Sequence, residues 1–283
     1  ITQQEIPLPS INDPELLFRP DLTLEAPDPE EVARQISLAV HSLFAAIHPR
    51  ELYFAISNRS LSLETSGLNE LFEFGRKLKL LIASTILNCA TTTCNSNDKS
   101  SILLLIKNLE RMISIANKLI EINNFEALSW FVSAFNMKCI VNLSETIDLP
   151  TGLSNSLKEL RSNYDWKKVS QSYQTKLDQC YNQKIPAIPN MRYELSLVAV
   201  KGYGGEEFKI NGDVTTVNWQ KRHVCGDLLR FYNQFQNIKY NYYNISQIQR
   251  LISDGFKYSK QELNAISIKL KNNTGDAKTR LLP

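Results

Sequence analysis

Three histidines, His41, His48 and His223, and five cysteines, Cys89, Cys94, Cys139, Cys180 and Cys225, are the side chains here best suited to metal or nucleophilic chemistry. Their spacing supports neither. The histidines fall in separate helical patterns with no His-x-x-x-His pair, so no zinc-binding face arises. The cysteine count is odd and no Cys-x-x-Cys occurs, which argues against a disulfide framework and fits buried thiols in a reducing compartment. Gly202-Tyr203-Gly204-Gly205 has the look of a phosphate loop, but lacks the preceding strand and the following Lys-Ser/Thr; it reads as a turn. Glu30-Glu31 and Glu206-Glu207 are adjacent rather than facing pairs, and Glu30-Glu31 suits the positive end of a helix. The basic doublets Lys167-Lys168 and Lys221-Arg222 read as solvated faces, with contact to an acidic partner as the functional alternative. No covalent chemistry, metal or cofactor is expected. The polar residues with a definite local task are asparagines. In Asn123-Asn124, one can end a helix in the left-handed region and the next can cap the following helix. Asn136 falls at a helix end.

The elements that must position such residues are helical. Asp28-Pro29-Glu30-Glu31 is a helix start, with a capping acceptor, proline at the first position and acids in the first turn. Val32, Ile36, Ala39, Leu43 and Ile47 follow on one stripe until His48-Pro49, where a short helix begins. Helices are predicted over 68–87, 102–122, 126–137, 157–177, 221–237, 245–256 and 260–271, with a loop over 91–99. In the second of these stretches Leu105, Leu109, Met112, Ala116 and Leu119 keep three-four spacing for five turns. Strand-like alternation is almost absent. Six prolines in residues 1–29 make 1–27 an extended arm with Leu16, Leu17 and Phe18 to bury. One all-α domain over 28–271 and a frayed tail over 272–283 complete the organisation. Ile1 in place of methionine reads as a fragment or processed chain.

The composition, 43% hydrophobic and 22% charged over 283 residues, allows one large core or two modest ones. A formal charge of +3 argues against a nucleic-acid partner. The run Ile102–Ile106 is cut by Lys107, Glu110 and Arg111, far short of the ~20 residues of a membrane span.

An ordered series of motifs carries a resemblance. Glu31-Val32-Ala33-Arg34-Gln35-Ile36-Ser37-Leu38 is followed by His48-Pro49-Arg50-Glu51-Leu52, Asn123-Asn124-Phe125 and Ser133-Ala134-Phe135-Asn136. Ile185-Pro186-Ala187-Ile188-Pro189, Asn218-Trp219-Gln220-Lys221-Arg222 and the tyrosines near 240–243, leading into Ile248-Gln249-Arg250-Leu251, complete it. In this order they resemble the catalytic domain of Ras-type guanine nucleotide exchange factors, the Son-of-sevenless-like RasGEF domain, over about residues 28–271.

That resemblance implies a helical bowl with a protruding helical hairpin. It implies a domain that binds a Ras-, Rap- or Ral-like GTPase, holds switch II on its core and pulls switch I away with the hairpin, so that GDP leaves. No covalent bond is made. The alternative is a module that keeps the fold and binds proteins without exchange. Carried over by position, the GTPase-binding residues are Asn136 near switch II, Asn123 and Asn124 shaping the same region, Ser129 where leucine is common, and Tyr173 on a GTPase-facing helix. Ile185–Tyr203 would form the first hairpin helix, with 217–222 in the returning arm. The hairpin's leucine and glutamate fall near Ala199 or Val200 and near Tyr203, with Glu206 and Glu207 one turn later. The resemblance further implies a monomer acting in the cytoplasm. A sequence this divergent also fits an effector that a bacterial pathogen delivers into host cytosol.

Overall fold

The computed structural model describes residues 6–9, 27–58, 66–87, 99–164, 171–200, 208–211, 214–254 and 258–268. The predicted helix start is realised. α1 (Pro29–Ala46) begins on Asp28, whose Oδ1 accepts the Glu30 N–H at 2.8 Å. Its buried stripe is Val32, Ala33, Ile36, Val40 and Phe44, while the expected Ala39 and Leu43 are half-buried. The reason is that α1 is enclosed on several sides. Gln35 binds the Tyr243 carbonyl at 2.6 Å and the Ile245 N–H at 3.0 Å, and His41 Nε2 meets the Phe235 carbonyl at 3.3 Å. A helix packed on more than one face cannot show one clean apolar stripe.

α2 (Pro49–Asn58), α3 (Ser66–Leu87) and α4 (Lys99–Glu121) follow. α5 (Phe125–Phe135) is the centre of the core: every residue but Ser133 is buried. α3 lies against it at Gly75, where an added Cβ would come within 2.2 Å of Trp130 Cε2. Glycine is what lets the indole lie on the α3 backbone.

Two departures from the predicted helices follow. α6 (Lys138–Thr146) was not predicted; it is short, and Cys139, Ile140 and Leu143 are its buried face. The single helix expected over 157–177 is two, α7 (Thr151–Tyr164) and α8 (Gln171–Gln183). The expected stripe steps five residues from Tyr164 to Val169, about 1.4 turns, and so leaves any straight helical face.

The hairpin consists of α9 (Met191–Val200), strands β1 (Phe208–Asn211) and β2 (Val214–Val217), and α10 (Trp219–Asn237). The strands pair antiparallel from Phe208–Val217 to Asn211–Val214, a ribbon the alternation did not announce. The outgoing helix begins at Met191 and not at Ile185, because Pro186 and Pro189 hold their predecessors extended. Asn218 caps α10 through its Oδ1 and the Lys221 N–H, and the Lys221 side chain is buried, not solvated. α2 packs on both arms, where Tyr53, Leu195 and Leu228 surround buried Cys225 and the two leucines also reach the main core. α11 (Ser246–Asp254) and α12, residues 260–268, close the fold.

The arm 1–27 lies outside the described residues except for 6–9 and 27; the Leu8 carbonyl accepts from Arg34 at 3.0 Å. Among the described residues no helix is long and apolar enough to cross a membrane, and no three His, Cys, Asp or Glu side chains gather as a metal site would need.

Candidate protein-docking site

The two asparagine- and proline-containing landmarks, some sixty residues apart, are stitched together. α4 ends with Asn123 in the left-handed region, φ 61°, and the Asn124 N–H returns to the Leu119 carbonyl at 2.9 Å. α8 ends in the same way at Lys184, φ 55°, with the Ile185 N–H on the Cys180 carbonyl at 3.0 Å. Both are helix exits of the Schellman type. The two emerging strands of chain meet as a parallel bridge between Asn124 and Ile188. The Ile188 N–H donates to the Asn123 carbonyl at 3.0 Å, and the Phe125 N–H donates to the Ile188 carbonyl at 3.0 Å. Asn124 then caps α5 through Oδ1 and the Ala127 N–H, while its Nδ2 donates to Ser37 Oγ of α1 at 2.9 Å. The local roles expected of the two asparagines hold, and both side chains are buried.

Next to this stitch α9 leaves the core. Glu126, in the first turn of α5, is fully buried, and its Oε2 accepts the Met191 N–H at 2.6 Å. Burial raises the Glu126 carboxyl to about 7, against the opposing pull of the Met191 N–H, Arg192 and the Trp130 indole. Its Oε1 makes no hydrogen bond of ordinary geometry. Tyr173 of α8 is also buried. Its hydroxyl donates to Glu194 Oε1 at 2.7 Å and accepts the Asn190 N–H at 3.1 Å. Tyr173 therefore turns its polar end inward, toward the first turn of α9.

The other end of α5 is open. Asn136 closes the helix with φ −85° and ψ 0°, and its side chain is exposed. Arg161 of α7 binds the Phe135 carbonyl at 2.5 Å and so fixes this turn from below. Ser129, Ser133 and Asn136 succeed one another at four and three residues, one face of the helix. Ser129 is buried, its hydroxyl on the Glu126 carbonyl at 2.7 Å, yet with Ser133 it lines a cavity of about 580 Å³ between α3, α5 and the root of α9. Phe72, Arg76 and Lys79 of α3 form the opposite wall, and Arg192 is the hairpin's contribution. The Arg192 guanidinium lies 4.7 Å from the Phe72 ring centre. Burial, with positive Arg192, Lys260 and Arg76 nearby, lowers the Lys79 ammonium pKa. Arg76 is paired with Glu73 at 2.6 Å, which leaves the field of the cavity positive. Such a recess, rimmed by charge and by exposed Asn69 of α3, suits a protein surface better than a small apolar ligand.

A sequence model of the RasGEF domain matches residues 31–223, which hold α1 through the start of α10. The chain belongs to the RasGEF domain family. This RasGEF domain is similar to Ras guanine nucleotide exchange factor Y of Dictyostelium discoideum, 25% identical over 238 residues that are 83% of this chain and 15% of the relative. It is similar to factor R of the same organism, 27% identical over 244 residues, 84% of this chain and 13% of that one. It is also similar to factor A, 22% identical over 263 residues, 89% of this chain and 40% of that one. The chain thus spans well under half the length of these relatives.

Of the residues singled out from sequence, the RasGEF domain gathers Asn123, Asn124, Ser129 and Tyr173 around α5 and the hairpin root, with Asn136 exposed at the far end of α5. Ala199 is the penultimate residue of α9, with its side chain outside the described set. Tyr203, Glu206 and Glu207 lie outside the described residues, as do Lys167-Lys168 and the glycines at 202–205. Glu126, Glu194 and Arg192 were missed. Glu126 carried only the signal of an acid in a first turn, which reads as a response to the helix dipole.

Proposed function

We propose that this domain is a guanine nucleotide exchange factor for a Ras-subfamily GTPase of the Ras, Rap or Ral kind. The partner's switch II would lie on the face of α3 and α5 that carries Ser129, Ser133 and Asn136. The hairpin would displace switch I, opening the nucleotide site so that GDP leaves. The factor makes no covalent bond in this reading. It acts by linkage: whatever binds the nucleotide-free GTPase more tightly than the loaded one weakens nucleotide binding by the same factor. A shift of about 10⁴ needs roughly 5.5 kcal/mol of differential binding, which calls for a broad pre-formed surface rather than a few exposed charges.

The observation that carries the reading is that one rigid helix joins the two working parts. Glu126 in the first turn of α5 grips the hairpin root, and Asn136 at its last turn stands exposed. Family membership and the relatives' names support the same reading.

The test is release of a fluorescent GDP analogue from purified Ras, Rap, Ral and Rab proteins, with the wild-type domain and Asn136→Ala. Acceleration for one subfamily, reduced at least about tenfold in the variant with the fold intact, is the expected result. Acceleration of none would overturn the reading and favour a binding module, as the lack of the family's hairpin leucine near Ala199 or Val200 would suggest.

A further inference from the structure

Two buried carboxylates stand where the hairpin leaves the core, and burial makes each of them costly. An apolar side chain of similar volume at such a place packs as well or better, so a buried charge is poor evidence of a role in stability. What the two share is the first turn of α9. A helix start leaves four N–H groups without partners inside the helix. Here the Met191 N–H is taken by Glu126 of α5 at 2.6 Å, and the Asn190 N–H by the Tyr173 hydroxyl of α8 at 3.1 Å. Asn190 Oδ1 takes the Tyr193 N–H at 3.2 Å, and one turn in, Glu194 returns to the same Tyr173 hydroxyl at 2.7 Å. α9 is therefore held at two points about one turn, ~5 Å, apart along its axis. Two such points fix a direction and not merely a position.

We propose that Glu126 and Glu194, the latter through Tyr173, are positioning residues that set the direction of the hairpin for the exchange step. The inference rests on the exchange reading above. α9 is about 15 Å long, so a tilt of roughly 10° at its root carries its far end some 2–3 Å. Displacements of about 1 Å at a working group can cost a hundredfold in rate. Arg192, between the two held points, lines the docking cavity, so the same turn of helix meets both the docked partner and the hairpin root. The hold works through the oxygen of Glu126 as an acceptor, and a neutral amide oxygen in its place serves as well.

The experiment uses three variants of the whole chain. Glu126→Met removes the acceptor and keeps the volume, Glu126→Gln keeps the acceptor, and Tyr173→Phe removes the hydroxyl that meets Glu194 and the Asn190 N–H while leaving the ring. Spin labels, introduced as non-canonical amino acids at Ile210 on the ribbon and Lys107 on α4, report the hairpin direction by pulsed dipolar distances. Fluorescent-GDP release from the responsive GTPase reports the maximal rate and the half-saturating concentration separately. Glu126→Met and Tyr173→Phe are expected to broaden or shift the distance distribution. Both should lower the maximal rate about tenfold or more, with half-saturation within about twofold of wild type. Glu126→Gln restores both, and the loss in Glu126→Met persists at temperatures well below its melting point. Unchanged distances and rates in Glu126→Met and Tyr173→Phe would overturn the proposal. So would a defect confined to half-saturation, which belongs to docking, or one that merely follows melting temperature. The distances need no GTPase: failure of wild type to accelerate any partner would sink the exchange reading while the distances still judge the hold on α9.

Discussion

The root and the tip of the hairpin are built on opposite terms. At the root nearly every polar group is buried and committed: Asn124 to Ala127 and Ser37, Ile188 to Asn123 and Phe125, Met191 to Glu126, Asn190 to Tyr173. At the tip, Phe208 and Ile210 of the two-stranded ribbon are 50% and 75% exposed, and Trp219, which opens α10 just after it, is 73% exposed. Apolar surface left in water on a short ribbon contributes little to folding. The root is organised to hold a direction, and the tip is free to meet another surface. In a domain that works by contact, stability and function are thereby placed in different segments.

Substitutions can break that division or sharpen it. The largest effect belongs to Asn124→Ala. It removes the cap of α5 and leaves the buried Ser37 hydroxyl without its donor, for a loss of about 3–4 kcal/mol. Urea unfolding followed by circular dichroism measures it. A loss below about 1 kcal/mol would mean that the root is not a stability centre.

Next comes pH. The Glu126 carboxyl, ordinarily near 4.5, is raised by burial to about 7. The folded state then holds this proton more tightly than the unfolded state. Its contribution is fully present below about 4.5 and is lost as pH rises to about 7, at most about 3 kcal/mol in all. Glu126→Gln should flatten this part of the stability–pH curve and leave the variant more stable than wild type at pH 8. An identical curve for both proteins would remove Glu126 from the account. The smallest effect is expected at the tip: Ile210→Thr, on the exposed ribbon, should change stability by less than about 0.5 kcal/mol. It should nonetheless alter GDP release if the ribbon touches the GTPase. A large stability loss there would erase the contrast between root and tip.

How much of this was legible follows the range of each interaction. The start of α1 at Asp28-Pro29 and the paired roles of Asn123 and Asn124 depend on neighbours within three or four residues, and the sequence displays them. The long stripe of α4 was equally plain. α6 was missed because a nine-residue helix shows barely two turns of pattern. The break between α7 and α8 was visible only as a five-residue step in an otherwise good stripe. Tyr173 was placed on a partner-facing helix; it is 2% exposed, and its hydroxyl meets Glu194, a residue 21 positions on that no periodicity connects to it. The order of the motifs identified the family. The bonds that join them run largely between backbone groups, which one sequence does not display.

That last point bears on inheritance. At the bridge between Asn124 and Ile188, all three inter-segment bonds from Ile188 N, Phe125 N and Glu126 N run to main-chain carbonyls. Main-chain donors and acceptors are the same for every residue but proline, so a lineage can replace the side chains around the bridge without losing it. What selection must keep is a way out of two helices and a chain held extended, which Asn123, Lys184 and the prolines at 186 and 189 supply here. A domain anchored in this manner can retain the carriage of its hairpin while its surface drifts, which is one physical route to sharing about a quarter of its residues with distant relatives and belonging to the same family.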